Sequence, residues 1–169
     1  VGFPAQLPDE LITEFGQIVW MAINLEDVTY FICHAVKPRE LFDDTPIGTR
    51  INQAEADLGE LPECESRQRA MTWLERAKEA LEARNAVVHS THVVSIEGGS
   101  EEAGPGSEGQ CEWLIHFPRR RDKPAIHTPL TVDALREVRT LLESAIEGWQ
   151  EAGVEAYQLS RQARGVERR

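Results

Sequence analysis

Apolar residues near the start of the chain recur at alternating steps of four and three: Leu11, Phe15, Ile18, Ala22, Leu25, Thr29, Ile32 and Val36. That spacing is one face of a helix, predicted from a cap at Asp9 to about Ala35 or Val36 and ended by Lys37-Pro38, because proline disfavours helical geometry in the residue before it. A second row, Ile12, Val19, Ile23 and Tyr30, lies beside the first, with Trp20 and Phe31 further round. A surface this wide predicts contact on two sides. One side is the domain core; the other is either a second copy of the chain or more of the same domain. Ile47, Ile51, Ala54 and Leu58 then space out a shorter amphipathic helix that stops near Gly59 or Pro62.

A third helix is predicted from Cys64 or Ser66 to about Ser90, rich in Ala, Leu, Glu, Lys and Arg, the residues that lose least on becoming helical. Ala70, Trp73, Ala77, Ala80 and Val87 form one apolar row, and Met71, Leu74, Leu81 and Val88 form its neighbour. The period then changes to that of strands at residues 92–97 and 111–117, joined by a Gly- and Glu-rich stretch, which reads as a hairpin with a long flexible loop at about 97–110. There is room for a third short strand near 125–128. Thr131 caps a last helix with Leu135, Val138, Leu141, Leu142, Ala145, Ile146 and Trp149 on its apolar side. Beyond Gly153 it continues or frays into a mobile basic tail at about 158–169. The fold expected is mainly α: one domain over residues 1–169, an antiparallel bundle of about four helices with an inserted β-hairpin.

One residue breaks the pattern. Arg84 falls inside the first row of the third helix, between Ala80 and Val87. Buried without a partner, it would cost roughly 3–5 kcal/mol, so a counter-charge, a ligand or water must meet it. Asn85 sits at the polar edge of the neighbouring row, and His89, one turn later, shares that edge.

Composition narrows the function classes. The formal net charge is −11, which repels phosphate on average, so any RNA site must be local. Positive charge is indeed local: no Lys or Arg precedes Lys37, and clusters appear at Arg119, Arg120 and Arg121 and from Arg161 to the end. The arginine triplet follows a strand and is a candidate RNA-backbone contact, or else a solvated loop. Three widely spaced cysteines without a CxxC suit reduced thiols and a cytoplasmic location. No run is long and apolar enough to span a membrane, and residues 1–30 lack the pattern of a secretory signal.

The segment Arg84-Asn85-Ala86-Val87-Val88-His89 resembles the R-N-x-x-x-H signature of the HEPN superfamily. The likeness covers the helical frame, roughly residues 9–91 and 131–150. It implies a helical domain that forms homodimers and a metal-independent endoribonuclease of toxin–antitoxin or defence type. Many members of that family have instead lost catalysis and serve as interaction modules.

The residues themselves fit such chemistry. Cutting RNA without a metal requires a base for the ribose 2′-hydroxyl, charge stabilisation on the phosphate and an acid for the leaving oxygen. His89 titrates near neutrality, Arg84 offers a planar fork to phosphate oxygens, and Asn85 can hold the imidazole or donate to the phosphate. One histidine does not readily serve as base and acid together; two copies facing each other would supply two of each. No cofactor or metal is expected, since His89 and His92 have no third ligand suitably spaced. Three other readings compete. Arg84 pairs with a first-helix carboxylate such as Glu26 and only pins two helices. Alternatively the chain is a non-catalytic interaction module. Or it is an antitoxin or immunity-type protein whose acidity covers a basic toxin partner.

Overall fold

The computed structural model describes residues 7–37, 45–96, 110–118 and 123–166. In chain order these form α1 (Asp9–Val36), α2 (Ile47–Gly59), α3 (Glu65–Val88), β1 (Thr91–Ile96), β2 (Gln110–His116), β3 (Ile126–Pro129), α4 (Val132–Ile146) and α5 (Trp149–Val166). The protein is mainly helical, with a small antiparallel sheet of order β1-β2-β3 between α3 and α4 in the sequence. The chain falls into two compact units, Val1–Val19 with Glu82–Arg139, and Trp20–Leu81 with Thr140–Arg169.

The first unit holds the start of α1, the end of α3, the sheet and most of α4. In the sheet, Val93 faces Trp113 across the β1–β2 pair and Trp113 faces Pro129 across the β2–β3 pair. The Leu130 amide donates to the Glu112 carbonyl at 2.9 Å, extending the β3 edge towards α4. Thr131 caps α4 as the sequence suggests, its hydroxyl accepting from the Ala134 amide at 3.1 Å. The buried seam of α1 departs from expectation at one position. Glu14, only 6% exposed, takes the place expected for Phe15, which is half-buried. A carboxylate is tolerated there because two arginines of α4 reach it, Arg136 Nε at 3.1 Å and Arg139 Nε at 3.0 Å.

The second unit is built on the rest of α1 with α2, most of α3 and α5. Leu25, Ile32, Ile51, Leu58, Leu74 and Leu142 are wholly buried. Trp73 is buried with its indole N–H donating to the Ala145 carbonyl at 2.9 Å, so the one polar atom of a large apolar group is satisfied. Thr29 fits the apolar seam because its hydroxyl donates back to the Leu25 carbonyl at 2.6 Å. The last helix is two helices. Gly148 adopts φ +80°, the left-handed conformation that glycine reaches without a Cβ penalty. Trp149 therefore opens α5 rather than closing α4. Residues 158–166, expected to begin a mobile tail, are the final turns of α5. The flexible loop expected over 97–109 and Arg119, Arg120 and Arg121 lie outside the described residues.

Candidate functional site

The three signature residues lie at the C-terminal end of α3, within the first unit. Arg84 and Asn85 are on its last full turn, and His89 is the residue just past its end. The helix runs to this point on strong helix formers and two apolar rows, interrupted by Arg84 in the first and by Lys78 and Asn85 at the edge of the second. Ala80, Leu81, Ala86 and Val87 around that arginine are all buried. Backbone bonds from the His89 amide to the Asn85 carbonyl (3.2 Å) and from the Ser90 amide to the Val87 carbonyl (3.4 Å) carry the chain out of the helix. The Ser90 hydroxyl donates to the Ala86 carbonyl. That serine satisfies one of the open carbonyls of the helix end, a role its position after the apolar rows only hints at.

The three side chains differ in access. His89 is exposed, whereas Arg84 and Asn85 are half-buried. Burial pushes the Arg84 guanidinium below its ordinary pKa, through desolvation of the charge. It remains a cation at any physiological pH. Arg136 and Arg69 shift the other way: Arg136 is raised first by its hydrogen bond to Glu14, and Arg69 first by its bond to Glu65. Those two are surface arginines serving carboxylates. Arg84 differs in being half-buried, at the end of a helix whose neighbouring apolar residues are buried.

The β1–β2 pair brings together two side chains that sequence spacing does not connect. His92 Nε2 lies 3.2 Å from Glu112 Oε2 on β2. The two are diagonal cross-strand neighbours, because His92 pairs with Leu114 and Glu112 is two residues before it. Only the strand register could reveal that contact. Among the described residues no cluster of three or more His, Cys, Asp or Glu side chains has the geometry to hold a metal ion. Cys33 is buried in the second unit beside a half-buried His34, and Cys64 is exposed.

The second unit has grooves of its own. One, of about 450 Å³, runs between the first half of α3 and the start of α5, where Arg69 bridges Glu65 and Glu155. Another, of about 640 Å³, opens between α1 and α5 and is lined mainly by apolar side chains. Among the described residues no helix is long and apolar enough to cross a membrane. No protein-family model, no curated protein and no solved structure matches this chain.

Proposed function

We propose that the chain is a HEPN-like, metal-independent endoribonuclease of the toxin–antitoxin or defence type, acting through Arg84, Asn85 and His89 with two copies contributing to one site. The observation that carries this reading is the presence, at one helix end, of an exposed His89 and a half-buried Arg84. An exposed His89 can exchange protons with a substrate. A half-buried Arg84 is pre-oriented by its apolar neighbours and meets phosphate oxygens in a setting where charge interactions are stronger than in water.

In the reaction, neutral His89 of one copy takes the proton of a ribose 2′-hydroxyl. The 2′-oxygen attacks phosphorus while Arg84 stabilises the charge that gathers on the non-bridging oxygens. The 5′-oxygen departs with a proton from the protonated His89 of the second copy, leaving a 2′,3′-cyclic phosphate. Asn85 donates to the phosphate or holds the ring.

The test is cleavage of single-stranded RNA by the purified chain in excess chelator, with product ends identified by mass. Cyclic phosphate ends are expected, with activity lower by at least about a hundredfold in His89→Ala and in Arg84→Ala. Wild-type rates in both variants would overturn the assignment.

A second reading has its own support. Trp20 and Phe31 are about two-thirds exposed on a chain of net charge −11, features that suit a non-catalytic interaction module or an acidic antitoxin-type binder. Under that reading the wild-type chain cuts no RNA and is not toxic when expressed.

A further inference from the structure

Within the second unit, α1 keeps an apolar stripe that its own unit does not cover. Trp20 (67% exposed), Ile23 (51%) and Phe31 (65%) fall on one side, with the exposed Asp27 between them. The positions i, i+3, i+7 and i+11 lie within about 80° of one another around the axis. α5 presents a matching stripe: Gln150, Val154 (57% exposed), Tyr157 (52%) and Arg161, at i, i+4, i+7 and i+11. The two meet at a groove of about 640 Å³ that includes Phe31 and Ala35 from α1 and Val154, Tyr157 and Arg161 from α5. The five exposed apolar side chains present on the order of 600 Å². That is at the upper end of the roughly 300–600 Å² of the largest apolar patch on a typical monomer, and approaches the roughly 800 Å² per partner of a standard interface.

Charge says what fits. The chain has 29 acidic residues, yet among the described residues none lines this groove, where the charged lining residue is Arg161, whose guanidinium lies 6.0 Å from the Tyr157 ring centroid. The apolar stripe of α1 is the reverse, carrying a single acid, Asp27. Two chains of charge −11 repel on approach, so they can meet with least cost where carboxylates are absent.

We propose that this groove seats a second copy of the chain, each copy laying the Trp20–Phe31 stripe of its α1 against the other so that Asp27 of one faces Arg161 of the other across a two-fold axis. The arrangement is isologous, so every contact occurs twice. It rests on the catalytic reading only for the expectation of a second copy, and the readout is the oligomer itself, without RNA.

The test is sedimentation of the full chain and of Asp27→Arg and Arg161→Asp, alone and mixed, with circular dichroism to confirm that each variant folds. Both substitutions are at exposed positions. Wild type is expected to dimerise. Each single variant places like charges opposite each other at both ends of the interface, raising the dimer dissociation constant at least about a hundredfold. In the mixture each foreign charge meets its opposite on the partner copy. Heterodimers should therefore form where neither variant pairs alone, a result that no contact within one chain produces. A monomeric wild type up to about 100 µM, wild-type dimers in the single variants, or a mixture that stays monomeric would each overturn the interface. RNA cleavage measured in parallel separates the two ideas. Dimers that do not cut RNA count against the nuclease alone, and cutting by variants that dimerise like wild type counts against the interface alone.

Discussion

At Arg84 the physics of one residue sets the functional question. A half-buried guanidinium in an apolar row has its pKa lowered by desolvation, and the buried carboxylate of Glu14 is met by two arginines within its own unit. Both are charges drawn towards the interior, and the sequence showed only the first. Glu14 was overlooked because Phe15 beside it satisfies the same apolar spacing, and spacing alone does not say which neighbour turns inward. Trp73 is the reverse case, an aromatic whose place in the core was plain from its row while its hydrogen bond was not. Trp73→Phe keeps the ring but leaves the Ala145 carbonyl without the indole donor. It is expected to lower unfolding free energy by about 1–3 kcal/mol, and Trp73→Ala by roughly 3–5 kcal/mol, both read from urea denaturation. If Trp73→Phe matches wild type within error, the indole bond contributes nothing to stability.

For whole elements, chain-local signals were strong. The Asp9 start and the Lys37-Pro38 stop fall where α1 begins and ends, and the Thr131 cap where α4 begins, because caps and prolines act on the few residues around them. The third strand was legible only as room for one, since four residues with a terminal proline carry little period of their own and are fixed by pairing with β2. Apolar periodicity carried the eye straight past Gly148, where the structure breaks α4 from α5. The same substitution should therefore have opposite effects in two helices. Gly148→Ala puts a Cβ on a left-handed residue with φ +80° and is expected to cost about 1 kcal/mol or more. Gly16→Ala, in the middle of α1 with nothing within 4 Å of the new methyl, is expected to stabilise by about 0.5–1 kcal/mol. Thermal melts of the two variants decide it: equal shifts in one direction would remove the conformational argument for the break.

Across the whole molecule, a charge of −11 works against any RNA substrate until salt screens it. If the proposed nuclease reading holds, cleavage of a short RNA is therefore expected to quicken as ionic strength rises from about 10 to 100 mM, over which the Debye length falls from about 30 to 10 Å. A basic nuclease loses affinity over the same range. A monotonic fall in kcat/KM would mean that a local basic surface, not net charge, governs encounter. What the sequence determined by itself is what neighbours along the chain decide: helix and strand periods, their stops, and the anomaly of one arginine among apolar residues. The tertiary structure alone decided what depends on residues distant in sequence. It paired His92 with Glu112, turned Glu14 inward towards α4, and left Phe31, Val154 and Tyr157 open along one groove. Period fixes which side of a helix is apolar, but only packing determines how much of that side the chain covers by itself.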